Sequence, residues 1–249
     1  MSWVSVLLRV ALPVVVLAVG WQALAWWIDT PYLFPPLDQV LARGAELVAS
    51  GVLLDHAAAS FWDLAIAIAA SVVVAAPVAA TARPDHVGYK TLRAVTGTLA
   101  MMPLIVVAPL VFIFLGLGDV SEVLIVFLCT LFPLLNRMLD GSFVRARPQS
   151  EHLNMPVRAM ASAQPPGISL ESDLSVIAAS IRTALPYSFG GLFVAEAMFG
   201  SKGLGFLLVT LTNRFDVGAL VAVYLIVFAL SGSLYGLLAL GEHAADGKG

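Results

Sequence analysis

Asp63, Arg182 and Glu196 are ionisable side chains inside strongly apolar stretches of this 249-residue sequence. A charge at membrane depth costs about 2.5–3.5 kcal/mol on insertion scales, so each must face protein, water or a helix end. Arg182 and Glu196 are separated along one segment by about 21 Å of helix, so they stand near opposite ends and cannot pair directly. Each is read either as an anchor or helix–helix partner, or as part of a solute path. Asp63 follows Trp62 near the start of its segment, a place that also suits a membrane interface. Thr130, Asn136, Tyr187 and Ser188 are polar groups able to make weak, transient contact with a passing solute. Hydrogen bonding between helices is the plainer role for each.

Catalytic patterns are missing from the sequence. There is no GxxxxGK[ST] phosphate loop, G-x-S-x-G, H-E-x-x-H or C-x-x-C. Gly116-Leu-Gly118 and Gly203-Leu-Gly205 are too short for a dinucleotide fingerprint and read as turns. His56, His86, His152 and His243 are scattered in connections or at helix ends and read as solvated. Cys129, the single cysteine, cannot form an internal disulfide and reads as a small buried residue. No metal-ligand spacing occurs, and an enzyme is disfavoured.

The elements that must position these residues follow from composition. Hydrophobic residues make up 60% of the chain and charged residues 12%, against about 25% charged in an ordinary soluble domain. That leaves too little polar surface for a globule in water, so the solvent is read as lipid. The net charge of −3 gives no basic excess for nucleic acid. Six segments are long and apolar enough to cross a bilayer: about 4–28, 57–80, 94–115, 120–138, 176–199 and 218–240. The first mimics a cleavable signal at Ala23-Leu24-Ala25, but its apolar run is long enough to span, and Trp26 and Trp27 suit an aromatic belt; a retained helix is expected. The second is rich in small residues and is expected to be a packed inner helix. The third carries Pro103 and Pro109, which neighbouring helices can accommodate in a membrane.

Apolar positions 37, 40, 41, 45, 47 and 48 predict a short surface helix after the first span. Residues 139–175 are the longest polar stretch, 200–217 a glycine-rich connection and 241–249 a polar tail. With the N-terminus inside, Arg83, Lys90, Arg93, Arg137, Arg145, Arg147, Arg158, Arg182 and Lys248 fall on the cytoplasmic side. Only Arg43, Lys202 and Arg214 fall outside, which predicts an N-in, C-in topology. No internal repeat is visible, and residues 1–249 read as a single all-α transmembrane domain.

The order and spacing of several motifs resemble one family. Leu33-Phe-Pro-Pro-Leu-Asp-Gln-Val40 is similar to an "LPsPxxV" element after the first helix, and Leu53-Leu-Asp-His56 with Ser60 to an "L…H…S" entry to the second. Met102-Pro103, Pro109-Leu110, Phe114 and Gly116-Leu-Gly118 resemble "iPxxAxxPLxxxwfGxG"; Phe132-Pro133, Asn136 and Gly141 resemble "ffPixxNxxxG". Arg182, Val194-Ala-Glu196, Gly203-Leu-Gly205 and Phe215-Asp216 resemble "GLR…vvaE…GlG…fD". Together they resemble the permease subunits of binding-protein-dependent ABC importers for aliphatic sulfonates, taurine, nitrate and similar small solutes. The resemblance covers nearly the whole chain.

It implies a type I importer permease fold in a bacterial or archaeal plasma membrane. It implies two permease subunits forming the pathway, cytoplasmic ATPases that bind ATP and magnesium, and an external solute-binding protein. This chain itself would bind no cofactor. A short coupling helix at about Met155–Ala163 would seat on the ATPase through Met155, Val157, Arg158, Ala159, Met160, Ala161 and Ser162. The path would draw on Thr130, Asn136, Arg182, Tyr187, Ser188 and Glu196. The coupling stretch departs from the family motif: Ala161 stands at the motif glycine, Pro165-Pro166 ends the helix early, and the paired "LP" elements are replaced. Either this is the divergent half of a heterodimeric permease, or a homodimer has drifted. The competing classes are an ATP-independent transporter or channel, a membrane scaffold and an integral enzyme.

Overall fold

A computed structural model describes residues 3–82, 87–102, 106–146 and 170–246, with side-chain surroundings for 12–82, 87–102, 106–140 and 176–237. Nine helices and no strand occur among them. They are α1 (Trp3–Ile28), α2 (Leu37–Ala49), α3 (Val52–Thr81), α4 (Val87–Ala100), α5 (Ala108–Leu115), α6 (Asp119–Ala146), α7 (Leu170–Phe199), α8 (Leu204–Asn213) and α9 (Val217–Asp246). Among the described residues, α3, α6 over Asp119–Asp140 and α9 over Val217–Leu237 are each long and apolar enough to cross a membrane. α7 and α8, bent by 49° at a short break, make a fourth span if taken together. α1 is apolar through Leu12–Ile28.

The stretch 94–115, expected as one helix, is two: α4 and α5. Pro109 lies in the first turn of α5, where its missing N–H costs nothing and its fixed φ favours helix initiation. The polar side chains of α4, among them Lys90, Thr91, Arg93 and Thr96, make its composition unlike that of a lipid-exposed span. The glycine-rich connection 200–217 holds a further helix, α8.

The surface helix expected after the first span is α2. Its buried face, Val40 and Gly44, packs on α9, where Gly44 lets Ala222 approach closely. The indole of Trp21 donates to the Pro35 carbonyl at 3.0 Å, and the Gln22 side chain accepts from the Leu37 N–H at 2.9 Å, so α1 is tied to the start of α2. Arg43 bridges Glu46 and Asp216, joining α2 to the α8–α9 turn.

α6 is the centre of the bundle, with α7 and α3 packed along it. α3 turns one stripe inward, Ser60, Asp63, Leu64, Ala67, Ser71, Ala75 and Ala79, at the spacing of a single helix face. Small residues on that stripe permit close backbone approach where no hydrophobic effect drives association. The opposite face leaves Val73 exposed, as Phe114 and Phe228 are on α5 and α9. Such faces suit contact with hydrocarbon. One core joins Ala75, Ala79, Leu134, Leu139 and Ala184; another joins Leu53, Leu204, Leu207, Leu211 and Val223 at the other end of α3.

Candidate functional site

The last turn of α7, the first residues of α8 and the third turn of α3 meet around Glu196. That side chain is only 1% exposed. The Ser60 hydroxyl donates to Glu196 Oε1 at 2.5 Å, and the Gly205 N–H donates to Oε2 at 2.7 Å. The Leu204 N–H donates to Ser60 Oγ at 2.7 Å. A helix start leaves N–H groups without intrahelical partners and carries partial positive charge. Gly203, the residue before α8, supplies no side-chain cap of its own. Glu196 and Ser60 therefore cap α8 from two other helices, which explains how a carboxyl group is held inside the bundle.

The glycines of this turn are spatial requirements. Gly203 has φ +96°, and a Cβ there would collide with the Glu196 carboxyl group. A Cβ on Gly205 would lie 2.6 Å from the Phe193 carbonyl and 2.8 Å from Glu196 Cβ. The Gly203-Leu-Gly205 turn read from the sequence is thus a break at which α8 starts directly on Glu196.

Two further carboxyl side chains are buried towards this end: Asp63, 3% exposed, and Glu122, 1% exposed. Asp63 faces the inside of the bundle on α3, which begins at Val52, several residues earlier than its apolar run implies. Glu122 stands in the first turn of α6, where the helix N-terminus favours an acidic residue. The Lys202 ammonium pairs with Asp119 at 2.7 Å, fastening the α7–α8 turn to the start of α6.

A cleft of about 450 Å³ opens between α4, α6 and α7. Met101, Met102, Cys129, Pro133, Pro186 and Tyr187 are among its lining residues. Its wall is mostly apolar, and Tyr187, half exposed, contributes a phenol. Pro133 and Pro186 lie within α6 and α7. At Gly191 the α7 backbone meets Cys129 so closely that a Cβ would be 2.8 Å from Cys129 Cβ.

The path candidates fall in different surroundings. Thr130 and Ser188 are fully buried, and their hydroxyls lie 2.8 Å apart across α6 and α7. Asn136 accepts from the Thr96 hydroxyl at 2.7 Å. The Arg182 guanidinium lies 5.7 Å from the centre of the Tyr235 ring on α9, a cation–π distance. Glu196 caps α8, and Tyr187 alone of the six lines the cleft. The coupling residues Met155, Val157, Arg158, Ala159, Met160, Ala161 and Ser162 lie outside the described residues. Sequence reasoning missed Glu122 as a buried group and Ser60 as a capping partner. Their signal was weak, since both sit near helix starts where polar residues are ordinary.

Outside the spans, burial alone would raise the Asp216 carboxyl, but the Arg43 guanidinium and the Ala219 N–H outweigh it and hold it below the usual carboxylate range. Arg43 is correspondingly held further into its charged form by hydrogen bonds to Asp216 and Glu46.

Long apolar helices joined by buried hydroxyl, amide and carboxyl contacts define an all-α integral membrane protein. No protein-family model matches the chain. The taurine transport system permease protein TauC of Escherichia coli K12 is 26% identical over 217 residues, covering 82% of this chain and 75% of the relative. The formylaminopyrimidine transport permease protein ThiX of Halalkalibacterium halodurans is 26% identical over 204 residues, 80% and 79% of the two chains. A protein of E. coli K12 described as an aliphatic sulfonates transport permease, SsuC, is 28% identical over 239 residues, 92% and 87%. Over most of its length the chain is therefore similar to permease proteins of ABC transport systems, which supports the resemblance drawn from its motifs.

Proposed function

We propose that this chain lines the membrane pathway of an importer for a small solute, a sulfonate, nitrate or similar small anion or organic compound, energised by a separate ATPase. The observation that carries the reading is a similarity to transport permeases that runs through up to 92% of the chain. The named solutes of those relatives include taurine, aliphatic sulfonates and a formylaminopyrimidine. They share small size and polar groups, which suits a cleft with a largely apolar wall and one phenol. Six spans with both termini in the cytosol are the proposed topology, in a bacterial or archaeal plasma membrane.

Two cytosolic ATPases would bind ATP and magnesium, and an extracytoplasmic binding protein would deliver the solute. ATP-driven closure of the ATPases would move the Met155–Ala163 segment and tilt the membrane helices between two packings. Tyr187 would touch the solute. Thr130, Ser188 and Asn136 would act on the path through the helices they hold in register, Arg182 from the cytoplasmic end of α7, and Glu196 from the external end. The departures at Ala161 and Pro165-Pro166 support a heterodimer in which a paralogue keeps the fuller coupling motif.

Purification through a tag on this chain in mild detergent tests the assembly. A complex containing a P-loop ATPase with vanadate-sensitive hydrolysis, and a second permease, is expected. A complex with this chain as the single permease overturns the heterodimer. A chain that purifies without any ATPase, and transports without ATP, favours the secondary transporter class instead.

A further inference from the structure

α4 is joined to α6 by three polar rungs. The Tyr89 hydroxyl donates to the Leu139 carbonyl at 3.2 Å, Arg93 pairs with Asp140, and the Thr96 hydroxyl donates to Asn136 at 2.7 Å. Positions 89, 93 and 96 share one face of α4, and positions 136, 139 and 140 share one turn of α6. Among the described residues, α6 is the one helix against which α4 packs extensively. Beyond the rungs, α4 runs into Leu99, Ala100, Met101 and Met102, which form one wall of the cleft facing Cys129, Pro133 and Tyr187. In the other direction α6 continues to Ala146, and the proposed coupling stretch follows it in the sequence, at Met155–Ala163.

We propose that this ladder is a transmission element: it makes α4 follow the cytosolic end of α6, so that displacement there moves the Met101–Met102 wall of the cleft. Arg93 and Asp140 are its positioning residues, and they touch neither solute nor ATP. Their side chains are about half exposed, 49% and 42%. Such a pair contributes little to stability, yet it fixes which turn of α4 lies against which turn of α6. Tyr89 is buried and Thr96 is buried, so the rungs on either side hold the helices together when the pair is broken. Motion passed through packed, bistable elements needs register of this kind.

The inference rests on the importer reading, and the experiment separates the two. The purified complex carries Cys129→Ser and Met102→Cys, and maleimide labelling at position 102 is timed without nucleotide and after trapping with ATP and vanadate. In this background the two rates are expected to differ at least about fivefold. Arg93→Asp is expected to abolish that difference while ATP hydrolysis stays within about twofold, and the exchange Arg93→Asp with Asp140→Arg is expected to restore it. The ladder is overturned if Arg93→Asp leaves the nucleotide dependence intact. It is also overturned if hydrolysis and melting temperature fall together without rescue by the exchange, or if the background hydrolyses ATP but labels at one rate. A background complex that holds no ATPase contradicts the importer reading itself.

Discussion

At the scale of residues, Glu196 shows how a buried carboxyl group becomes part of a fold. It accepts from Ser60 and Gly205 at the start of α8, so its removal leaves polar groups without partners inside the bundle. Glu196→Ala is expected to destabilise the protein by about 2–3 kcal/mol, read as a lowered melting temperature in detergent, with Glu196→Gln milder because its amide oxygen still accepts from one donor. Gly203→Ala is expected to be at least as damaging as a loss of one capping bond, about 1 kcal/mol or more, because it adds strain at φ +96° and a collision with the same carboxyl. A Gly203→Ala protein that melts with the wild type would contradict the close approach. The Arg43–Asp216 pair makes a prediction in pH. The Asp216 carboxyl is held low in the folded protein. Its stabilisation is therefore fully present above the unfolded carboxylate value of about 4 and is lost as pH falls through the lower folded value. Asp216→Asn is expected to cost about 0.5–1 kcal/mol at neutral pH, and the gap from wild type is expected to shrink as pH falls below about 4. None of these partners was legible from the sequence, because Ser60 and Glu196 are 136 residues apart and only the fold joins them.

At the scale of elements, the apolar runs marked out the helices well where they are long and uninterrupted, as in α3, α6, α7 and α9. They failed at two places for physical reasons. α4 and α5 read as one run because hydrophobicity averages over the interval between the two helices. α8 was hidden because Gly200, Gly203 and Gly205 signal a loop, while Leu204, Leu207, Leu208 and Leu211 belong to a ten-residue helix whose cap comes from elsewhere. Helix contacts in this bundle depend on small residues and hydroxyls. Gly191→Val is expected to overpack α7 against Cys129 and Val126, at about 1–3 kcal/mol. Adding Cys129→Ala is expected to recover part of the melting temperature, since it removes the sulfur nearest the new side chain. If the double variant is no more stable than Gly191→Val, the contact at this crossing is wrongly placed.

At the scale of the molecule, composition alone pointed to lipid as the solvent, and the motif order pointed to a permease before any helix was placed. The site was less legible. Of six path candidates, Tyr187 reaches the cleft, while Thr130, Ser188, Asn136 and Glu196 hold helices to one another. Sequence supplies polar residue types at membrane depth, but whether they face a path or a neighbour is decided by the rotation of each helix. The proposed function makes this chain a conduit driven from its cytosolic side by a separate ATPase. The most direct measurement is uptake into proteoliposomes containing the purified complex and its binding protein, with labelled taurine, an alkanesulfonate and a formylaminopyrimidine offered in turn. The account predicts accumulation of at least one solute that requires ATP on the cytosolic side and stops with vanadate. Uptake that proceeds unchanged without ATP, or ATP hydrolysis with no solute-dependent transport by any binding-protein-loaded vesicle, would contradict it.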